Sequence, residues 1–187
     1  GREMSESNRI LQLDDRTIGH IAAGEVVERP AQVVKELVEN SIDAGSTQIR
    51  INIERGGFDL ISITDNGSGI HEEDLPLAVD RHATSKLRNE KDLASIGTLG
   101  FRGEALASIG MVSELLISSR PNGTEGRMII MDNGEKSNVK PTGIAEGTNI
   151  EVRNIFVNQP ARLAFQRRPA TEISKIVDVT VSHAISN

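Results

Sequence analysis

The chain has 187 residues, of which 37% are hydrophobic and 26% charged, as expected for a single globular domain rather than a disordered chain. Acidic residues outnumber basic ones 27 to 21, and the net charge of −6 excludes a surface that binds nucleic acid as a whole. The absence of cysteine excludes disulfides, thiolate zinc sites and a cysteine nucleophile, and the absence of a membrane-spanning stretch or a signal-peptide pattern predicts an intracellular α/β domain without a membrane partner.

The first half of the sequence predicts alternating helical and extended segments after a leader at residues 1–9. Proline at a first helical position and glycine after a last one mark the second helix, and strict alternation of isoleucine with polar residues marks the first strand. The predicted elements are helices at 17–27 and 30–44, strands at 47–54 and 58–65, and a short helix at 72–79.

The second half predicts a polar, glycine-punctuated loop and then three strands joined by turns that contain Asn-Gly. The elements are the loop at 81–103, a helix at 103–109, strands at 112–119, 126–132 and 148–154, a helix from 160, and a helix at 171–185. This order predicts an α+β two-layer sandwich, in which helices cover one face of a mixed, mostly antiparallel sheet.

The second helix carries a carboxylate and a carboxamide on one face. Glu36 and Asn40 are four residues apart, so they stack one turn from each other. Gln32 continues this row one turn earlier, and the acidic residues beside it are Glu39 and Asp43. Such a pair can hold a water molecule and the hydration shell of a cation, although a solvated polar stripe remains the simpler interpretation.

Asp65 ends the second strand on the same face as Ile61 and Ile63, because side chains alternate along a strand. A carboxylate on the buried side of a sheet needs hydrogen-bond donors. Gly67 and Gly69 follow it, and glycines allow a ligand to approach the backbone closely. The alternative is a strand-ending turn that the aspartate caps.

A glycine-rich stretch at residues 97–104 leads into the helix that we predict to begin at Gly103. Free N–H groups at a helix start suit an anion, and Thr84, Ser85 and Lys86 add two hydroxyls and a cation for phosphate oxygens. No P-loop pattern occurs. A loop of about twenty residues indicates a functional lid, with a flexible surface loop as the alternative.

These features, followed by Gly147-Thr148 at a strand start, together resemble the Bergerat ATP-binding fold. Longer stretches resemble signatures of the DNA mismatch repair MutL family, and the resemblance covers about residues 10–170. The matching stretches are IAAGEVVERP at 21–30, VKELVENSIDAG at 34–45, RHATSK at 81–86, GFRGEALASI at 100–109 and NQPAR at 158–162. The family more often has tyrosine in place of Val157 and threonine in place of Gln159. The lid sequence argues against a topoisomerase or histidine-kinase module.

The resemblance implies a Mg²⁺-dependent ATPase. Glu36 would be the general base that activates the attacking water, and Asn40 would hold the Mg²⁺ that bridges the phosphates. Catalysis would then depend on positioning and electrostatics, as in phosphoryl transfer generally.

The resemblance also implies how the nucleotide is held. Asp65 would accept a hydrogen bond from the adenine amino group, with support from Thr148 and an ordered water, while Gly67 and Gly69 would let the backbone pass close to the nucleoside. The phosphates would be wrapped by Thr84, Ser85, Lys86, Gly100, Phe101, Arg102, Gly103, Glu104, Ala105 and Leu106.

Residues 10–187 would form the ATP-binding subdomain, without the second domain that supplies a lysine to the γ-phosphate and without a C-terminal dimerisation domain. The implied function is Mg-ATP binding and slow hydrolysis that drives lid ordering and N-terminal homodimerisation of a MutL-type repair protein. A nucleotide-dependent switch with little turnover is the alternative to an ATPase that works alone. The implied partners are ATP or ADP, a MutS-type mismatch sensor and a nuclease or helicase, in the cytoplasm, nucleoid or nucleus.

Basic residues gather near the C-terminal end of the sequence, at Arg162, Arg167, Arg168 and Lys175. This is where the DNA groove of MutL-like proteins begins, but a solvated face is the simpler interpretation. With a net charge of −6, the chain is expected to bind DNA weakly at most.

Overall fold

A computed structural model describes residues 29–80, 99–166 and 174–183, with the backbone alone at 99–104, 162 and 165–166. The helices are α1 (Pro30–Asp43), α2 (Leu75–Ala78), α3 (Leu99–Met111) and α4 (Pro160–Gln166). The strands are β1 (Gln48–Glu54), β2 (Leu60–Asp65), β3 (Glu114–Arg120), β4 (Arg127–Asp132), β5 (Glu135–Lys136), β6 (Lys140–Pro141), β7 (Gly147–Arg153) and β8 (Lys175–Thr180). The helix predicted at 17–27 lies outside the described residues.

One sheet runs in the order β5-β4-β3-β7-β2-β1-β8, and β6 pairs with β4 at one side. Every strand pair in the described part of the chain is antiparallel. The register aligns a row of β-branched side chains across the sheet, which stabilises it through cross-strand packing. From β8 to β4 the row is Val177, Ile51, Ile63, Ile150, Ile117 and Ile129.

Helix α3 contacts both α1 and α2, and buried residues of all three helices belong to one core with the sheet. Leu37 of α1 and Leu106 and Ile109 of α3 have no exposed surface, and they belong to the same core as the isoleucine row. The alternate residues of the strands, such as Arg50 and Thr64, lie on the opposite face and are exposed. The predicted two-layer architecture is therefore confirmed.

The helix predicted at 171–185 is wrong, because residues 175–180 form β8, an edge strand antiparallel to β1. Apolar residues in Lys-Ile-Val-Asp-Val-Thr fit a helical spacing, but β-branched side chains favour a strand. Arg50 of β1 fixes the pairing through a bidentate contact with Asp178, at 2.7 and 3.0 Å. This hydrogen bond lowers the pKa of the Asp178 carboxyl.

The predicted start of the helix at 103–109 is also wrong. Helix α3 begins at Leu99, four residues before Gly103, so the glycine-rich stretch from Gly100 onward lies within the first helical turns. Glycine disfavours a helix interior by about 1 kcal/mol, and this preference led to a late boundary. Packing of α3 against α1 and α2 is the tertiary contact that overrides it.

Candidate functional site

Asp65 lies at the end of β2, beside the first residues of β7, and is 9% exposed. Its carboxylate accepts two hydrogen bonds from the protein. The Ser41 hydroxyl donates to Oδ2 at 2.6 Å, and the Gly67 amide donates to Oδ1 at 2.9 Å. Because each carboxylate oxygen has two lone pairs, Asp65 keeps the capacity to accept from a ligand.

The turn after Asp65 is held against the end of α1 and the start of β1. The side-chain oxygen of Asn66 accepts hydrogen bonds from the amides of Thr47 and Gln48, at 2.8 and 3.0 Å. A Cβ at Gly67 would lie 2.6 Å from the Ser46 hydroxyl oxygen, so a glycine is needed there for packing alone. The turn is thus rigidly placed without a ligand.

The backbone conformation and close backbone contacts also require glycine at positions 69 and 147. Gly69 has a φ of +81°, and its Cβ would lie 2.8 Å from the Pro121 nitrogen. Gly147 has a φ of +123°, and a Cβ there would overlap the carbonyl oxygen of Asp65. This close approach brings Thr148, the next residue, directly opposite Asp65 in the β2–β7 register.

Asn40 is the residue of α1 whose side chain most clearly lacks a partner within the protein. Both its Oδ1 and its Nδ2 are buried, and neither has a hydrogen-bond partner in the described part of the chain. A buried polar group without a partner costs about 1–3 kcal/mol. Such a group is a candidate for contact with a ligand, and the role of Asn40 stays a prediction.

Glu36 lies one turn before Asn40 on α1 and is half-buried. Gln32, which the sequence placed in the same polar row, accepts a hydrogen bond from the Arg29 amide at 3.2 Å and so stabilises the start of the helix. The row therefore divides into a structural residue at the helix start and two residues farther along α1, of which Asn40 directly precedes Ser41, the serine that contacts Asp65. Among the described residues, no group of three acidic or histidine side chains forms a metal cluster.

The structure describes only part of the predicted phosphate-binding set. Thr84, Ser85 and Lys86 lie outside the described residues, and Gly100, Phe101, Arg102, Gly103 and Glu104 are described by their helical backbone alone. Ala105 and Leu106 are in α3 and buried, at 8% and 0% exposure. The roles of all these residues stay predictions.

Sequence reasoning missed two buried serines that contact the predicted site residues. Ser41 bonds to Asp65, and Ser119 of β3 lies 2.7 Å from the Thr148 hydroxyl. The signal for Ser41 was present, because it follows Leu37 by four residues on the apolar face of α1. Ser119 carried no such signal, since only the β3–β7 pairing places it beside Thr148.

A cleft next to the end of β3 is lined by residues that include Ser119, Glu72, Glu125 and Arg127. The Arg127 guanidinium is already paired there with Glu72 at 3.3 Å and with Glu125 at 3.5 Å. The guanidinium in this cleft is therefore already neutralised by carboxylates of the protein. Within the described ranges, no helix has the length and apolar character needed to cross a membrane.

Comparison with known proteins decides the family. Residues 28–155 match the family described as histidine kinase-, DNA gyrase B- and HSP90-like ATPases. The chain belongs to this ATPase family. The matched range contains Glu36 and Asn40 of α1, and Asp65 and Thr148, which are paired at the end of β2 and the start of β7.

Within the ATPase family, the chain is similar to DNA mismatch repair proteins named MutL. It is 49% identical over 181 residues to MutL of Thermoanaerobacter sp. (strain X514), and 52% identical over 181 residues to MutL of Pelobacter propionicus. Both alignments cover 96% of this chain and 30% of the relative. The chain thus spans about a third of the length of the curated relatives it matches.

Solved structures agree with this placement of the ATPase chain. The N-terminal domain of a DNA repair protein is 32% identical, with a TM-score of 0.70, and the match covers 86% of this chain and 48% of that one. The Aquifex aeolicus MutL ATPase domain complexed with ADP is 36% identical, with a TM-score of 0.60 over 79% of this chain and 51% of that one. The Bergerat fold predicted from the sequence is confirmed.

Proposed function

We propose that this chain is the ATP-binding module of a MutL-type mismatch repair protein, and that it binds Mg-ATP and hydrolyses it slowly. The observation that carries the proposal is the pairing of two features at one end of the sheet. Asp65 is a buried carboxylate that retains acceptor capacity, and Asn40, on the adjoining helix, is a buried amide without a partner among the described residues.

Asp65 selects a donor on the nucleobase. An ionised carboxylate can only accept hydrogen bonds, so it favours the 6-amino group of adenine and opposes the 6-oxo group of guanine. The bonds from Ser41 and Gly67 hold the carboxylate in one orientation, which reduces the entropy lost when the base binds. A solved relative that holds ADP supports an adenine nucleotide as the ligand.

The chemistry of Asn40 fits a magnesium ion held mainly by phosphates and water. Mg²⁺ prefers six oxygen ligands and keeps several waters, so it needs only one or two protein groups. The Asn40 amide oxygen is buried and has no partner among the described residues, and it is the group that would hold the ion. When bound, the ion neutralises charge on the phosphate oxygens.

Glu36 is the group we assign to activation of water. Its carboxylate takes a proton from the water as the water oxygen attacks the γ-phosphorus, and the bond from phosphorus to the bridging oxygen breaks to release ADP. Its position one turn before Asn40 on α1 supports a role for this base at the phosphate end of the nucleotide. The expected contribution of a general base is about 10²- to 10⁴-fold in rate.

The wider function is proposed from the relatives. We propose that nucleotide binding orders the predicted lid and drives homodimerisation of the N-terminal region. In the whole protein, the partners would be a MutS-type mismatch sensor and a nuclease or helicase, at an intracellular site of DNA repair. The similarity to MutL proteins over 96% of this chain supports this assignment.

Thermal unfolding with and without Mg-ATP tests the proposal. A ligand at about 100 times its Kd should raise Tm by roughly 5–10 °C for a chain of this size. ATP and ADP should both do so, whereas GTP should not. An unchanged Tm with both adenine nucleotides, with the folded chain verified by circular dichroism, would overturn the proposal.

A further inference from the structure

We propose that Ser119 is a positioning residue that sets whether the Thr148 hydroxyl donates or accepts a hydrogen bond beside the nucleobase. The inference rests on the proposed nucleotide site and adds a residue that acts on the nucleotide only through Thr148. Ser119 lies in β3, opposite Thr148 in the β3–β7 register. Its side chain has no exposed surface, so it does not touch a ligand itself.

Three polar contacts meet at the Ser119 hydroxyl. The Ile70 amide donates to its oxygen at 2.7 Å, the Thr148 hydroxyl oxygen lies 2.7 Å away, and the Gly147 carbonyl oxygen lies within 3.0 Å as an acceptor. A hydroxyl has one proton and two acceptor lone pairs. Because the Ile70 amide always occupies one lone pair, the directions of the other two contacts are linked.

Two proton arrangements satisfy these contacts. In the first, Ser119 donates to the Gly147 carbonyl and accepts from Thr148, so the Thr148 oxygen presents only lone pairs to its surroundings. In the second, Ser119 donates to Thr148, and the Thr148 proton becomes available to a ligand. The second arrangement gives up the longest of the three contacts, at 3.0 Å.

Both arrangements contain three hydrogen bonds once a ligand acceptor receives the Thr148 proton. The exchange therefore costs little, because the number of hydrogen bonds is the same before and after it. Asp65, the Cα partner of Thr148 across the β2–β7 pair, can only accept. Asp65 as an acceptor and Thr148 as a donor together match a nucleobase that carries an amino group next to a ring-nitrogen acceptor, as adenine does. When Ser119 donates to the Thr148 oxygen, it orients the Thr148 hydroxyl towards the ligand and strengthens the hydrogen bond that Thr148 donates.

The experiment is a double-mutant cycle on ADP affinity, measured by isothermal titration calorimetry on the 187-residue chain. The variants are Ser119→Ala, Thr148→Val and the double variant, with Ser118→Ala as the matched control. Ser118 is the neighbour in β3, and its side chain points to the opposite face of the sheet. We expect Ser119→Ala to raise Kd by about 10-fold, and Ser118→Ala to leave Kd within about twofold.

The cycle separates action through Thr148 from a general structural role. If Ser119 acts through Thr148, the double variant should bind ADP no more weakly than Thr148→Val alone. Effects that multiply in the double variant, or an unchanged Kd for Ser119→Ala, would overturn the inference. If Ser119→Ala does not fold, Ser119→Cys keeps the size with a weaker donor, and its smaller effect should vanish in the Thr148→Val background in the same way.

The same data set distinguishes this inference from the proposed function. If the parent chain binds ADP and Asp65→Asn does not, while both Ser119 variants bind like the parent, the role of Ser119 fails and the nucleotide site stands. If the parent chain does not bind ADP, the proposed function fails and the inference fails with it.

Discussion

The Ser41 hydroxyl donates a hydrogen bond of 2.6 Å to Oδ2 of Asp65, and both residues are buried. This bond joins α1 to the end of β2. Ser41 directly follows Asn40 on α1. The hydrogen bond therefore fixes Asp65, the proposed adenine acceptor, relative to Asn40, the proposed Mg²⁺ ligand. Substitutions on α1 can therefore show whether its polar residues have separate roles in nucleotide binding and hydrolysis or act as one structural unit.

Replacing Glu36 and Asn40 separately tests whether water activation and Mg²⁺ binding belong to different residues. Glu36→Ala leaves Asn40 and Asp65 in place, so nucleotide should still bind while hydrolysis falls by about 10²- to 10⁴-fold. Steady-state phosphate release measures the rate, and equilibrium titration measures affinity. The rate should be measured in a protein of the full length of the MutL relatives, of which this chain covers 30%.

Asn40→Ala should instead weaken binding of the triphosphate in the presence of Mg²⁺. It removes the amide oxygen that would hold the ion, and it also removes a buried group without a partner among the described residues, so the fold itself should not be destabilised by loss of a hydrogen bond. Equal loss of binding in the Glu36 and Asn40 variants would mean that the helix face is one structural unit.

Gly147→Ala should strongly destabilise the fold. The φ of +123° disfavours any side chain, and a Cβ would overlap the Asp65 carbonyl oxygen. We expect the free energy of unfolding to fall by about 3 kcal/mol or more. Urea denaturation measures it. Gly143→Ala is the control, because a Cβ there meets nothing within 4 Å, and an equal loss in both variants would contradict the steric account.

Asp74 gives a pH-dependent prediction. Burial, with a smaller effect of Glu73, raises the pKa of Asp74 above 3.8, so the folded state holds its proton to a higher pH than the unfolded state does. Its contribution to stability is fully present below the unfolded pKa and is lost as pH rises through the folded pKa. Asp74→Asn should therefore raise Tm at pH 7, and this gain should disappear below the unfolded pKa of 3.8. A gain that is the same at both pH values would contradict the assignment.

Binding to DNA should be weak at most. Lys175 is an exposed residue of β8, and the net charge of −6 opposes a polyanion. Fluorescence anisotropy with a labelled duplex should show affinity that disappears between about 50 and 200 mM salt. Tight binding that persists at high salt would contradict this expectation.

The elements that the sequence predicted correctly are those with a strong local pattern. Helix α1 has proline at its start and an apolar face, and β1 alternates strictly, so both were found with nearly correct ends. Asp65 was placed on the buried face by alternation alone. These patterns need no knowledge of distant residues.

The elements that were predicted wrongly depend on contacts distant in sequence. Residues 175–180 fit a helical spacing, and only pairing with β1, including Arg50 with Asp178, makes them a strand. Likewise, the role of Ser119 becomes visible only when β3 pairs with β7. Local patterns do not contain such pairings, since the partners are far apart in the sequence.

The most direct test of the account is the ADP affinity of Asp65→Asn, measured by isothermal titration calorimetry beside the parent chain and an Asp178→Asn control. The carboxamide introduced by Asp65→Asn would present a donor or a weaker acceptor to the 6-amino group in a buried site, so Kd should rise by about 100-fold or more. Asp178 lies in the edge strand and is exposed, so its variant should bind ADP as the parent does. If Asp65→Asn bound ADP as tightly as the parent chain, the base would not be read by Asp65, and the assignment of this site would be wrong.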